Sequence, residues 1–168
     1  MYERILVPTD GSAGVERAIE HAMDLASAHG ATIHAVYVVN TASYGGIPME
    51  TSWDGIRDVL SEEGQSALER VRTIADDAGV EVETAVLDGS PSRQIVTYAE
   101  EAGCDLIVEA VVENVDVKQD VFAELDALVD ADVVLGTNTS TLSITRIAAA
   151  TGTPDRVVGL HFMNPVPV

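Results

Sequence analysis

Lysine is almost missing from this chain: Lys118 is the one lysine, and Lys and Arg together number 9 against 28 Asp and Glu. The formal net charge of −19 repels phosphate backbones and anionic lipid, so nucleic acid and membrane surfaces are disfavoured as partners. Cysteine also occurs once, at Cys104, which excludes an internal disulfide and any cysteine-based metal cluster; no metal site is expected. Aromatics make up 4% of the residues, so the core must be built from Val, Ile, Leu and Ala. That composition suits a parallel sheet covered by helices. No apolar run reaches membrane-spanning length. Met1-Tyr2-Glu3-Arg4 passes straight into a strand pattern, so no signal peptide is expected, and the lone cysteine fits a cytoplasmic setting. Acid spread along the whole chain, with so little lysine, points to a salt-rich, halophilic cytoplasm.

What is present is a repeating cadence. Apolar runs at Ile5-Leu6-Val7, Thr32 to Val39, Val80 to Leu87, Leu106-Ile107-Val108, Asp132 to Leu135 and Val157 to Phe162 read as strands. Helical spacing lies between them. Val15, Ala18, Ile19, Ala22 and Ala26 share one face, as do Ile56, Leu60, Ala67, Leu68, Val71, Ile74 and Ala75. Ile95, Tyr98 and Ala99 mark a third helix, Val117, Val121, Leu125 and Leu128 a fourth, and Ile144, Ile147 and Ala148 a short fifth. Glycines at 30, 79 and 103 stop the first three helices, each ahead of a strand. Ser12 and Ser90 stand where helix caps are expected, the second with Pro91 at the first helical position. Residues 40–51 read as a loose connection. The pattern predicts one α/β domain over residues 1–168. It is a single doubly wound, Rossmann-like parallel sheet of about six strands, in order 3-2-1-4-5-6 with helices on both faces.

Two stretches of the chain carry family motifs. Residues 1–108 contain Tyr2-Glu3-Arg4-Ile5-Leu6-Val7-Pro8-Thr9-Asp10-Gly11-Ser12, His34-Ala35-Val36-Tyr37-Val38-Val39, Val86-Leu87-Asp88-Gly89-Ser90-Pro91 and Glu100-Glu101-Ala102-Gly103-Cys104-Asp105-Leu106-Ile107-Val108. In order and spacing this part resembles the universal stress protein family. The resemblance implies an adenine nucleotide such as ATP at the carboxyl ends of the strands. Pro8, Thr9 and Asp10 would lie against adenine and ribose, and Val38 would offer backbone groups to the adenine edge. Without a ligand, Thr9-Asp10-Gly11-Ser12 reads equally well as a helix-capping turn. The family's glycine-rich phosphate loop is replaced here by Glu109-Ala110-Val111-Val112-Glu113-Asn114, which implies weak or altered nucleotide binding. The family also implies a homodimer, although its dimer-forming last strand is replaced.

From about residue 105 to 168 the chain reads Glu109-Ala110-Val111-Val112-Glu113-Asn114, Thr137-Asn138-Thr139-Ser140 and Gly159-Leu160-His161-Phe162-Met163-Asn164-Pro165-Val166-Pro167-Val168. This part, 109–168 beyond the shared strand, resembles the NAD-binding domain of 3-hydroxyacyl-CoA dehydrogenases, enzymes of fatty-acid β-oxidation. The resemblance implies NAD as cofactor and an acyl-CoA as substrate. His161 would be the catalytic base, Ser140 and Asn164 would hold the substrate oxygen, and Glu113 and Lys118 would contact the dinucleotide. Lys118 also reads as an ordinary exposed helix lysine, and His21, His29 and His34 as structural. The family's Gly-x-Gly-x-x-Gly is replaced by Asp10-Gly11-Ser12-Ala13-Gly14, so a fragment inactive on its own is the companion expectation. Two family fragments thus meet inside the strand Asp105–Val108, a chimera on one sheet.

Overall fold

The computed structural model describes residues 2–40, 53–109, 114–139 and 141–160, with side chains of 13, 14, 53, 54 and 56 not described. Its elements alternate as the cadence predicts. They are β1 (Arg4–Pro8), α1 (Ala13–His29), β2 (Thr32–Val39), α2 (Trp53–Ala78), β3 (Val82–Asp88), α3 (Pro91–Ala102), β4 (Leu106–Glu109), α4 (Val115–Leu128), β5 (Val134–Thr137), α5 (Ile144–Ala148) and β6 (Val157–Gly159). A 3-10 turn at Pro154–Arg156 precedes β6. The strands form one parallel sheet in order β3-β2-β1-β4-β5-β6. No described helix is long and apolar enough to cross a membrane.

The side-chain period of two divides the strands between two cores. Ile5, Val7, Ile33, Ala35, Leu106 and Val108 face α1 and α2. Leu6, Val36, Ile107 and Leu135 face α3, α4 and α5. The centre of the sheet pairs β1 with β4, the strand where the two fragments were expected to join. Ile5 pairs with Leu106 and Leu6 with Ile107. Asp105 extends this ladder with its side chain, accepting from Glu3 N–H at 2.7 Å and Arg4 N–H at 3.3 Å. On its other side β4 carries β5, from Leu106 opposite Val134 to Glu109 opposite Thr137.

Several expectations shift in detail. The buried face of α4 is rotated by one residue. Lys118, Phe122 and Leu125 point inward, while Val117 is 39% and Leu128 46% exposed. Burying a large apolar side chain stabilises by about 1.5–3 kcal/mol, so Phe122 outweighs Val117 in setting the face. In α3 the fully buried residues are Val96 and Ala99, with Ile95 and Tyr98 half-buried. β5 starts at Val134, because Asp130–Val133 forms a turn in which Val133 N–H donates to Asp130 O at 3.1 Å. β6 is described as far as Gly159, and Phe162 lies outside the described residues, as do 41–51 of the expected loose connection.

The caps also differ from expectation. Ser12 and Ser90 occupy the N-cap positions without a side-chain cap bond. Asn114 is the side-chain cap on α4, accepting from the N–H of Asp116 and of Val117. Gly30 ends α1 at φ 69°, in the left-handed region where glycine avoids the Cβ penalty.

Candidate functional site

A cleft of about 250 Å³ opens at the carboxyl ends of β1, β2 and β4. In open α/β sheets this is the edge where ligands bind. Pro8, Thr9, Asp10 and Val38 all line it, so the sequence-predicted adenine-site residues converge on one cavity. Pro91, Ser92 and Ile95 of α3 with Val121 and Leu125 of α4 make the facing wall. Sequence reading missed this wall. Its signal was the Ser90-Pro91 helix start directly after a strand, which must put the start of α3 at the same sheet edge.

Local geometry fixes each part. Thr9 is buried, and its N–H continues the β1–β2 ladder to Val36 O at 2.9 Å. Gly11 takes φ 76°, which turns the chain into α1. Within that turn Gly11 N–H donates to Thr9 Oγ1 at 3.1 Å, and Ser12 N–H donates to Asp10 Oδ1 at 2.9 Å. The carboxylate of Asp10 thus closes the turn ahead of α1, while the Ser12 hydroxyl makes no side-chain cap bond. Arg70 of α2 closes over the turn, its Nη2 donating to Gly11 O at 2.9 Å. On the facing wall Ser92 Oγ donates to Glu124 Oε1 at 2.6 Å, tying α3 to α4.

Glu109 forms part of the cleft lining at the end of β4. Lys118 does not line it. It lies 1% exposed beneath, with Nζ 2.9 and 3.1 Å from the two oxygens of Glu109, and Thr137 Oγ1 donates to Glu109 Oε2 at 2.8 Å. The chain's one lysine is therefore a buried ion-pair partner and not a solvated surface residue. Ser140, His161, Asn164 and Glu113 lie outside the described residues. Asn138, just ahead of Ser140, is held by His21 of α1, with His21 Nδ1 2.9 Å from Asn138 Oδ1. His34 Nδ1 lies 3.1 Å from Tyr98 Oη, and burial, ahead of the nearby charges, holds its pKa below the usual histidine value. His29 Nδ1 accepts from Tyr2 N–H.

The cleft fits a base and a ribose better than it fits phosphate. Its walls are mainly apolar, and Asp10 offers an acceptor for ribose hydroxyls. Among the described residues no Lys or Arg lines it, and the Gly11 and Ser12 amides already have acceptors from their own turn. A phosphate or pyrophosphate group would need such amides or cations. Among the described residues no cluster of three or more His, Cys, Asp or Glu side chains is placed to hold a metal ion.

Comparison with known proteins places this architecture. Residues 54–168 match the family described as 3-hydroxyacyl-CoA dehydrogenase, NAD binding domain. The chain belongs to that family. The match opens inside α2, well ahead of the strand where the fragments were expected to join. A 3-hydroxybutyryl-CoA dehydrogenase of Clostridioides difficile is 54% identical over 71 residues, covering 42% of this chain and 25% of that protein. A universal stress protein of Methanocaldococcus jannaschii is 42% identical over 108 residues, covering 64% of each chain. Among solved structures, one from the universal stress protein family of Burkholderia pseudomallei superposes with a TM-score of 0.62 at 25% identity, over 74% of this chain and 87% of that one. The chain thus spans about two thirds of the stress-protein relative and a quarter of the dehydrogenase.

Proposed function

We propose that the chain is an adenine-nucleotide-binding module of the universal stress protein kind, with weak or altered binding because the phosphate loop is replaced by Glu109-Ala110-Val111-Val112-Glu113-Asn114. The observation that carries this reading is the convergence of Pro8, Thr9, Asp10 and Val38 on one cleft at the ligand-binding edge of the sheet. The likeness to the M. jannaschii universal stress protein supports it from the sequence side. A salt-rich cytoplasm fits the acidic composition, and a homodimer fits the stress-protein likeness. Thermal shift with adenosine, AMP, ATP and NAD tests the reading. An adenine ligand is expected to raise the melting temperature, and the shift should shrink in an Asp10→Ala variant. No response to any of the four would overturn it.

A second reading is favoured by the family match over residues 54–168. It is an NAD-dependent 3-hydroxyacyl-CoA dehydrogenase, or a fragment of one that is inactive alone, acting on an acyl-CoA. In that reading His161 takes the 3-hydroxyl proton, Ser140 and Asn164 hold the substrate oxygen, and Glu113 and Lys118 serve the dinucleotide. The β1–α1 turn does not suit a pyrophosphate, and Lys118 is engaged by Glu109. The chain alone is therefore expected not to form NADH from 3-hydroxybutyryl-CoA at saturating NAD. Turnover that disappears in His161→Ala would put the dehydrogenase reading first.

A further inference from the structure

We propose that the cleft selects an uncharged nucleoside of the adenosine type over its phosphorylated forms. This rests on the adenine-binding reading and deepens it by naming the ligand class. The first observation is charge. Among the described residues the acidic side chains that line the cleft are Asp10 and Glu109, and no Lys or Arg lines it. Lys118 offsets Glu109 from behind, outside the lining, whereas Asp10 stands exposed at the end of β1. The arginine that reaches this turn, Arg70, donates to two carbonyls, Gly11 O at 2.9 Å and Ser66 O at 3.4 Å.

The second observation is the turn itself. With the loop after β4 replaced by residues 109–114, a phosphate directed instead to the start of α1 would compete with a carboxylate already bonded to Ser12 N–H and a hydroxyl already bonded to Gly11 N–H. Anion sites of this type work because such amides lack a partner. Here the chain's own oxygens take that place.

The chemistry follows from these walls. The base lies against Pro8, Val38 and Ile95, and ribose hydroxyls donate to Asp10. Each added phosphate brings negative charge toward Asp10, and among the described residues no Lys or Arg lines the cleft to receive it. The protein's net charge of −19 adds to the repulsion at low salt.

Titration calorimetry of the full chain with adenosine, AMP and ATP at 0.15 M KCl tests the proposal. Adenosine is expected to bind at least about tenfold more tightly than AMP, and AMP more tightly than ATP. Asp10→Asn keeps an oxygen acceptor for Ser12 N–H and removes the charge. It should narrow the adenosine-to-AMP ratio several-fold, whatever it does to absolute affinity. AMP or ATP binding the native chain as tightly as adenosine would overturn the selection and leave the adenine module standing. Absence of binding by all three would overturn both. An unchanged ratio in Asp10→Asn would overturn the role given to Asp10, and that comparison is independent of the native-chain ranking.

Discussion

Lys118 Nζ lies within 3.1 Å of both carboxylate oxygens of Glu109, and the two side chains are 1% and 3% exposed. Breaking one partner of such a buried pair leaves an unpaired charge in the interior. Lys118→Met should therefore destabilise the fold by about 3–5 kcal/mol in urea denaturation. The double variant Glu109→Gln with Lys118→Met should recover a large part of that loss, since two neutral side chains need no counter-charge. Equal losses in the single and double variants would contradict the pair.

Asp126 and Arg156 join α4 to the turn before β6. Arg156 Nη2 donates to Asp126 Oδ1 at 2.8 Å, and Gly152 N–H and Thr153 Oγ1 donate to the same carboxylate. Burial by itself pushes the Asp126 carboxyl up, but the bonds from Thr153, Arg156 and Gly152 outweigh it and hold its pKa below the usual aspartate value. A lowered folded-state pKa means stability that is complete above the unfolded value of about 3.9 and is lost as pH falls through the folded one. Asp126→Asn should thus flatten the stability curve below about pH 4 relative to the native chain, measured by urea melts across that range.

Cys104 is buried, and burial pushes its thiol up to about 12. The thiolate is the reactive form, so the folded protein should resist Ellman's reagent at pH 8 and react fully once unfolded in guanidinium. Rapid labelling of the native chain would contradict this.

With a net charge of −19, self-repulsion weakens the compact state at low ionic strength. The melting temperature should rise as KCl is taken into the molar range. A melting curve indifferent to salt would argue against the halophile reading.

The order of elements was legible because strand and helix periods differ and glycine marks three helix ends. The face of α4 was not. Val117, Val121, Leu125 and Leu128 form a plausible stripe, and a lysine reads as solvated. The rotated face buries Phe122 and also gives Lys118 its partner, a carboxylate nine residues away on β4 that Thr137 on β5 bonds as well. Neither partner announces itself in a linear pattern. Likewise Ser12 and Ser90 look like caps and occupy the N-cap positions, yet neither makes a side-chain cap bond. In the candidate site the β1 end and Val38 were legible from motif, whereas the α3–α4 wall arises only when β4 inserts beside β1.

That insertion has a consequence for synthesis. The contacts at the middle of the sheet span the chain, with Asp105 bonding to a residue 102 positions earlier. Until β4 emerges from the ribosome, β1 is an open edge carrying Ile5, Leu6 and Val7, a template for pairing with another chain. Closure over so long a separation is slow compared with local pairing. The nascent first hundred residues therefore pass through an interval in which β1 lacks its β4 neighbour, and the acidic composition, at a net charge of −19 over the whole chain, works against association of neighbouring copies during it.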